Sequence, residues 1–340
     1  MSTRQQSNPR DGNRKLIAVT MGDPAGVGPE IVAKAHAAIA ADADYRMVVI
    51  GDQDALERAV KACDLDLTVV PVSSATTTVS ANQIACLQTG SSTRSVPVGV
   101  VSAAGGQAAY EYIVRAAELA ARGDVDAICT APLNKEALHK AGHLFAGHTE
   151  LLAELAGVDE VSMMLSAVGL RVIHVTTHVG LVDAIRLIEP GLVERTIRRG
   201  NDALVRSGID RPRIAVCAIN PHAGENGLFG YGEEAEKITP AVRACQDSGI
   251  DCVGPLPADT AFFRSIRGDF DLVVAMYHDQ GHGPVKAVGL DDGVNITVGL
   301  PVIRTSVDHG TAFDIAGTGV ASERSFMTAL ETARDMARVR

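Results

Sequence analysis

Short apolar runs of strand-like composition alternate with segments of helical periodicity along most of the chain. The pattern predicts strands at 16–20, 47–50, 67–72, 126–130, 161–167, 171–177, 213–219, 271–277 and 295–298, and helices at 30–40, 54–62, 107–122, 192–207, 233–248 and 322–340. Strands that alternate with helices are typical of βαβ units and a largely parallel sheet. An α/β fold is therefore expected, interrupted by a Ser/Thr-rich stretch at 73–95 that predicts short β segments and surface loop.

The chain is long enough for two domains. Its 340 residues exceed the ~250–300 residues at which a single hydrophobic core usually stops growing. The first 13 residues are polar and predict a disordered tail. No apolar stretch approaches the ~18–20 residues that span a bilayer, and the polar start lacks the apolar core of a signal peptide. A cytoplasmic protein that binds no membrane is therefore expected.

Charge and cysteine content narrow the function further. The formal net charge of −10 argues against nonspecific nucleic-acid binding, because a phosphate backbone needs a basic surface. An anionic ligand must therefore meet local positive groups. The six cysteines form no C-x-x-C pair, and buried thiols are the simplest interpretation.

Three histidines, His178, His222 and His278, each follow a predicted strand in a separate loop. A single histidine of this kind is more often a hydrogen-bonding loop residue. Together they suggest a divalent metal, because imidazole suits zinc and similar ions and three protein ligands leave a position open for substrate. His282 is near enough in sequence to compete with them.

A glycine-rich turn, GDPAGVGPE at 22–30, joins the first strand to the first helix. The helix N-terminus could present amides to an anion, and a purely structural tight turn is the alternative. The segment is not G-x-G-x-x-G, which disfavours a Rossmann nucleotide site.

Several other polar residues are suited to an anionic substrate. Thr149 is a candidate N-cap with His148 beside it, so free amides and an imidazole could meet a phosphate or carboxylate. Lys286 and Arg304 flank glycine-rich turns and could form charge-assisted hydrogen bonds, although ordinary surface cations would look the same. Asp259 adds a carboxylate for a metal or for proton transfer.

Nine segments taken together resemble the 4-hydroxythreonine-4-phosphate dehydrogenase family. They are GDPAGVGPE (22–30), TAPLNK (130–135), GHTE (147–150), TTH (176–178), NPHAGE (220–225), GPLPADT (254–260), YHDQG (277–281), GVNIT (293–297) and GLPVIRTSVDHGTA (299–312). The resemblance implies a two-domain isocitrate/isopropylmalate dehydrogenase-like α/β fold with a cleft between the domains. We expect domain 1 at 14–142 plus 311–340 and domain 2 at 143–310.

The same resemblance implies roles for individual residues. The metal ligands would be His178, His222 and His278, and the substrate contacts would be His148, Thr149, Lys286, Asn295 and Arg304. The segment that contains His309, Gly310, Thr311, Ala312 and Asp314 resembles the nucleotide loop of isopropylmalate dehydrogenases. Candidates for proton transfer or for support of the metal site are Asp259, Asp279, Asp308 and Lys286.

The implied activity is oxidation, with decarboxylation, of a 4-phosphorylated 3-hydroxy acid. The cofactors would be NAD or NADP and a divalent metal, with zinc the first expectation and magnesium, cobalt or manganese as alternatives. The enzyme would be a homodimer whose active site draws residues from both subunits. Rivals from other classes are a phosphate acyltransferase and a non-catalytic sensor of phosphorylated ligands.

One departure bears on the substrate. Family members that make vitamin B6 commonly have H-D-Q-G-L-P-x-x-K at the third histidine, whereas this chain has HDQGHGPVK at 278–286. Lys286 keeps its spacing, and His282 replaces the leucine. The chain is similar here to the branch that acts on 4-phosphorylated D-threonate or D-erythronate. The expected substrate is therefore of the 4-hydroxythreonine 4-phosphate type, with these sugar acids as the alternative.

Overall fold

A computed structural model describes residues 14–39, 43–167, 169–289 and 293–337. The predicted tail at 1–13 and the last three residues of the predicted C-terminal helix lie outside this range. The chain divides into two compact units. Unit 1 contains the described residues up to Gly157 and from Pro301 onward, and unit 2 runs from Val158 to Leu300.

Twelve strands are present in the described part of the chain. They are β1 (Lys15–Thr20), β2 (Tyr45–Gly51), β3 (Thr68–Pro71), β4 (Gln83–Gln88), β5 (Ala127–Thr130), β6 (Ser162–Ala167), β7 (Leu170–His174), β8 (Ile214–Cys217), β9 (Cys252–Leu256), β10 (Leu272–Ala275), β11 (Val294–Val298) and β12 (Ile303–Val307).

Eleven α-helices connect and flank these strands in the same residues. They are α1 (Gly28–Ala38), α2 (Gln53–Ala62), α3 (Ala103–Ala121), α4 (Lys135–Lys140), α5 (His148–Ala156), α6 (Leu181–Leu187), α7 (Pro190–Arg206), α8 (Thr239–Asp247), α9 (Ala258–Ile266), α10 (His278–Gly289) and α11 (Arg324–Met336). None of the described helices is long and apolar enough to cross a membrane.

In unit 1 the strands are ordered β3-β4-β2-β1-β5-β12, and all neighbouring pairs are parallel. Central strands β1 and β5 are buried along nearly their whole length, as expected for a sheet covered on both faces. Side chains at three helix starts accept a backbone N–H and fix where the helix begins: Asp52 before α2, Ser102 before α3 and Asn134 before α4.

In unit 2 the strands are ordered β11-β6-β7-β10-β8-β9. Strand β6 is antiparallel to both neighbours, while β7, β10, β8 and β9 run parallel. The apolar core of this unit includes Val172, Val273 and Phe262, which are buried between the sheet and helices such as α9. The parallel strands carry the loops in which sequence analysis places the metal ligands.

The α/β class is confirmed, and several elements differ from prediction. Strands β9 and β12 and helices α6, α9 and α10 are additional, whereas β4 lies in the stretch at 73–95 for which short β segments are expected. The predicted helix at 233–248 consists of a π-helical turn, Glu234–Ile238, followed by α8. Residues 143–157 and 301–310, which we expect in domain 2, belong to unit 1. The reason is that β12 pairs with β5 and α5 packs against α3, both within unit 1.

Candidate functional site

Arg304 is a cation buried inside unit 1. It lies in β12, which pairs with β5, and only 2% of the residue is exposed. Its Nη2 atom donates a hydrogen bond to Oγ1 of Thr130, at a distance of 2.7 Å. Burial lowers the pKa of the guanidinium to about 10, so it remains charged near neutral pH. A charge is costly to bury unless an anion or polar partners compensate, which makes this position a candidate anion site.

The N-terminus of α5 lies close to this cation. Gly147 is the residue that caps the helix, without a side-chain hydrogen bond, and His148 is its first residue. The prediction that Thr149 is the N-cap is wrong, because Thr149 is already inside the first turn. The amides of a first helical turn point outward and favour anions.

His148 is held in its neutral form. Burial is the main cause that keeps its pKa well below the ordinary range, and the positive charges of Arg304 and Lys135 act in the same direction. Its Nε2 atom is buried and has no hydrogen-bond partner among the described residues. A neutral imidazole next to a guanidinium can donate a hydrogen bond to an anion without adding to the charge repulsion.

Lys135, the first residue of α4, is a further cation of this region that the sequence does not distinguish from a surface lysine. Its Cε atom would be 3.8 Å from a Cβ atom built on Gly147, so its side chain lies beside the start of α5. Within the described ranges Lys135 is exposed and has no ion-pair partner. Lys135, Arg304 and the amides of α5 therefore form a group of positive charges and N–H donors, here called the anion cluster, with one carboxylate, Glu150, whose Oε2 would be 3.7 Å from the same Cβ atom. The signal in the sequence is the lysine that ends TAPLNK, shortly before GHTE.

Unit 2 brings two of the three predicted metal ligands together. The rings of His178 and His278 have centroids 5.9 Å apart. Two imidazoles at this separation can bind one divalent ion, since each nitrogen would be ~2 Å from the metal. The prediction that all three histidines lie in loops is wrong for His278, which begins helix α10.

Carboxylates orient two of the predicted ligands. Nδ1 of His278 lies 2.7 Å from Oδ1 of Asp279, and Nδ1 of His222 lies 3.0 Å from Oε2 of Glu225. A hydrogen bond from one ring nitrogen to a carboxylate leaves Nε2 for a metal and is the usual arrangement around metal-binding histidines. Both residues therefore fit the role of a metal ligand. Asp279 thus has a supporting position, with its side chain 92% exposed.

His222 is in an unusual backbone conformation. Five successive residues, 222–226, have φ angles between 40° and 79°, which places them in the left-handed region. Each non-glycine residue in a left-handed turn costs roughly 1–2 kcal/mol. Such strain is typical of functional sites and needs support from the surroundings.

The buried carboxylate of Glu234 supplies this support. It accepts hydrogen bonds from the backbone N–H groups of Ile219 and Asn220, at 3.1 and 2.7 Å, and from the Asn220 side chain. The turn is thus anchored at Ile219 and Asn220, shortly before its first residue. His222 does not join His178 and His278, and the described residues contain no group of three or more His, Cys, Asp or Glu side chains that could hold a metal.

A fourth and a fifth histidine pack against the ligand pair. His282 stacks on His278, and its Nδ1 atom contacts Nε2 of His174 at 3.1 Å. Burial and the neighbouring histidines lower the pKa of His174 to about 3, so His174 is neutral. His282, which is close enough in sequence to compete with His278 as a metal ligand, therefore lies beside His278 and is hydrogen-bonded to His174.

The predicted nucleotide loop is fixed to the glycine-rich turn of unit 1. Val27 donates its backbone N–H to the carbonyl of Thr311 at 3.0 Å, and Thr311 is buried. Glu30 accepts hydrogen bonds from the backbone N–H groups of Gly317 and Gly319. Lys34, one turn later on α1, donates to the carbonyls of Gly319 and Ala321.

Of the predicted cofactor contacts, His309, Gly310 and Asp314 are exposed, and Ala312 has a φ of 42°.

Asp23, in the same turn, is fully buried. Its Oδ1 accepts the N–H of Ala25 at 2.9 Å, and its Oδ2 has no partner within the described ranges. Burial raises the pKa of this carboxyl to about 6. Three of the remaining predicted residues are exposed: Asp259 in α9, Lys286 in α10 and Asp308 after β12. Asn295 lies in β11, and its buried Oδ1 has no hydrogen-bond partner among the described residues.

Known proteins match this chain over nearly its whole length. A "D-threonate 4-phosphate dehydrogenase" of Cupriavidus necator is 59% identical over 323 residues, which cover 95% of this chain and 97% of that protein. A "4-hydroxythreonine-4-phosphate dehydrogenase" of Geobacter metallireducens is 48% identical over 326 residues, covering 95% of this chain and 96% of the relative.

Solved structures agree in fold. A crystal structure described as a 4-hydroxythreonine-4-phosphate dehydrogenase from Burkholderia phymatum is 61% identical, covers 95% of this chain and 98% of its own, and superposes with a TM-score of 0.88. The predicted α/β class is confirmed by this likeness. The model of one family matches residues 43–333. The chain belongs to that family, described as pyridoxal phosphate biosynthetic protein PdxA.

Proposed function

We propose that the protein is an NAD-dependent oxidoreductase that oxidises and decarboxylates a 4-phosphorylated 3-hydroxy acid. The observation that carries the substrate class is the buried, charged Arg304 beside the N-terminus of α5. In a protein with a net charge of −10, this cluster is a specific place for a phosphate group. The dehydrogenases to which the chain is 59% and 48% identical support the reaction class over the acyltransferase and sensor alternatives.

The anion cluster would hold the phosphate. Arg304 and Lys135 would supply positive charge, and His148 and the amides of Gly147–Thr149 would donate hydrogen bonds to the phosphate oxygens. Because Thr130 accepts a hydrogen bond from Arg304, the guanidinium is already oriented before the ligand binds. Lys286 and Asn295 stay proposed contacts for the rest of the substrate.

The oxidised carbon would lie near the predicted metal ligands His178, His222 and His278. A bound divalent cation, zinc first among the candidates, would stabilise negative charge on the substrate oxygens as a Lewis acid. Hydride would leave the carbon that carries the 3-hydroxyl for the nicotinamide, and the hydroxyl proton would go to a base, for which Asp259, Asp308 and Lys286 are candidates.

The resulting 3-keto acid would then lose carbon dioxide. The bond between the carboxyl carbon and its neighbour breaks, the electron pair remains as an enolate, and the enolate takes a proton to give a phosphorylated ketone. Charge stabilisation at the keto oxygen serves both steps, so no second site is required.

Between the two substrates, we favour 4-phospho-D-threonate. The chain has His282 where the vitamin B6 enzymes of the family commonly have leucine. The relative at 59% identity is named for D-threonate 4-phosphate, whereas the relative named for 4-hydroxythreonine 4-phosphate is 48% identical. The structure from Burkholderia phymatum, at 61% identity, carries the second name, which keeps that substrate as the alternative.

A comparison of both substrates tests the proposal. NADH formation is measured with 4-phospho-D-threonate and with 4-phosphohydroxythreonine, with and without added zinc or magnesium. We expect metal-dependent NADH formation and a higher kcat/KM for 4-phospho-D-threonate. Absence of NADH with both substrates and with other phosphorylated hydroxy acids, at every metal concentration, would contradict the dehydrogenase function.

We also propose that the enzyme is a homodimer with a shared active site. Large apolar side chains are exposed beside two predicted metal ligands: Leu181 and Val182 follow His178, and Leu228 and Tyr231 follow the turn of His222. Exposed apolar groups of this size concentrated near a site are typical of an interface. A partner subunit would cover them and exclude water from the substrate.

A further inference from the structure

His282 contacts a whole face of the imidazole ring of His278. The two ring planes are inclined by only 12°, and their centroids are 3.7 Å apart. His282 is itself buried, with 7% of the residue exposed. A buried ring in this position is not placed to bind substrate directly, but it restricts how the ring of His278 can turn.

The orientation of His282 is fixed by hydrogen bonds. Nδ1 of His174 lies 3.3 Å from the carbonyl oxygen of Met163, which can only accept, so Nδ1 of neutral His174 donates and its Nε2 accepts. Nδ1 of His282 lies 3.1 Å from that Nε2 and 3.2 Å from the carbonyl oxygen of His278. Nδ1 of His282 therefore carries the proton and donates it to two acceptors.

His174 is in turn held rigidly by the fold. It ends strand β7 and is 2% exposed. A Cβ atom on Gly281 would come within 2.2 Å of its Nε2 and 2.9 Å of Cγ1 of Val172, so the ring occupies the space that a side chain in α10 would need. The contacts thus connect the sheet, through His174 and His282, to His278.

We infer that His282 is a positioning residue that sets the ring plane of His278 and the direction of its Nε2 toward the divalent cation. This inference rests on the proposed function, which assigns His278 to the metal. Leucine at this position could pack against His278 but could not donate to His174. The replacement of leucine by histidine therefore changes the support of a metal ligand rather than the ligand itself.

Metal binding by full-length variants tests the inference without reference to turnover. The protein is freed of metal with a chelator and titrated with Co²⁺, which is followed by its visible absorption. Loss of a group that supports a metal ligand typically weakens affinity roughly 10–100-fold. We expect this increase in Kd, with a changed absorption band, for His282→Leu. His282→Phe keeps a stacked ring without the donor and should recover part of the affinity.

His36→Leu is the matched control, because it replaces a histidine of α1 in unit 1 and should leave both the Kd and the band unchanged. Wild-type affinity and absorption in both His282 variants would overturn the inference. If His282→Leu does not fold, His282→Phe alone decides in the same way. The proposed metal site fails separately if the wild-type protein does not bind Co²⁺, or if His278→Ala binds it as tightly as wild type.

Discussion

Asp23 is a single buried carboxyl group whose protonation should couple to folding. Its pKa is raised from 3.8 to about 6 by burial, so between these values the folded protein keeps a proton that the unfolded chain releases. The stabilisation is complete below pH 3.8 and is lost as the pH rises through about 6. Asp23→Asn keeps the acceptor for Ala25 and removes the charge.

We therefore expect Asp23→Asn to gain free energy of unfolding relative to wild type as the pH rises from about 4 to 6, with a constant gain at higher pH. Urea denaturation at several pH values between these limits and pH 8 measures the difference. A difference that does not vary with pH would show that Asp23 does not titrate in this way.

Lys135 offers a direct test of the anion cluster. Lys135→Met removes one positive charge next to the start of α5, and we expect KM for the phosphorylated substrate to rise roughly 10-fold, which corresponds to about 1.4 kcal/mol. Lys140→Met is the matched control, because Lys140 is exposed on the same short helix and pairs with Glu136 at 2.8 Å. Steady-state kinetics give KM for the two variants. Equal KM values would show that Lys135 does not help to bind the phosphorylated substrate.

The sequence predicts which residues bind an anion better than it predicts which residues surround them. Arg304 and His148 are predicted as anion contacts, and the structure brings both into one cluster. Lys135 was not singled out because a lysine at the start of a polar helix looks like any solvated cation, and only the fold places it beside Gly147. The burial of Arg304, which is the reason to expect an anion there, likewise cannot be predicted from the residues on either side of it.

At the scale of secondary structure, side chains of α1 hold the end of the predicted nucleotide loop and the residues that follow it. Glu30 and Lys34 lie one turn apart and hold backbone groups of Gly317, Gly319 and Ala321. Loss of Glu30 leaves the N–H groups of Gly317 and Gly319 without the carboxylate that holds them in place. The loop should then lose its fixed shape.

We expect Glu30→Ala to raise the Kd for NADH several-fold while KM for the phosphorylated substrate changes little. NADH fluorescence measures the first quantity and steady-state kinetics the second. Glu57→Ala in α2 is the control, because Glu57 is exposed and its hydrogen bond from Gln53, one turn earlier on α2, lies at the surface. Unchanged NADH affinity in Glu30→Ala would mean that this loop does not bind the cofactor.

The elements that escaped prediction have weak local signals. Helix α10 contains two internal glycines and Pro284, residues of low helix propensity, so the packing of His174 against Gly281 and the contacts of His282 must stabilise it. Strand β12 has a buried arginine in place of an apolar residue. The left-handed turn at 222–226 has only two glycines or asparagines to suggest it and depends on Glu234.

At the scale of the whole molecule, the exposed apolar residues of unit 2 predict self-association. Leu181 is 59% exposed in α6, and we expect Leu181→Glu to weaken the dimer and to reduce activity. Sedimentation should give twice the 35.5 kDa mass of the chain for wild type and a lower average mass for the variant. Val205→Glu is the control, because Val205 is also an exposed apolar residue of unit 2 and lies in α7, which carries none of the predicted site residues. A monomeric wild-type enzyme with full activity would contradict the shared site.

The alternation of strands and helices was sufficient to predict the α/β class, because buried parallel strands are continuous apolar runs. The boundaries between the two units are harder to predict from the sequence. Strand β12 joins unit 1 through its pairing with β5, a contact across about half of the chain that leaves no local mark in the sequence. Long-range pairing of this kind explains why residues 301–310 were expected in the other domain.

The neutral state of His148 determines how substrate capture should respond to acidity in the cell. Burial and the nearby cations keep the pKa of His148 well below its ordinary range, while Arg304, with a pKa of about 10, stays charged. Neither group changes its charge near neutral pH, whereas a phosphate monoester loses its second proton with a pKa of ~6. These two residues thus present a constant electrostatic environment, and the ionisation of the ligand itself sets the pH dependence of its capture. Acidification would weaken the binding of phosphorylated substrate and product together and would leave their ratio on the enzyme nearly unchanged.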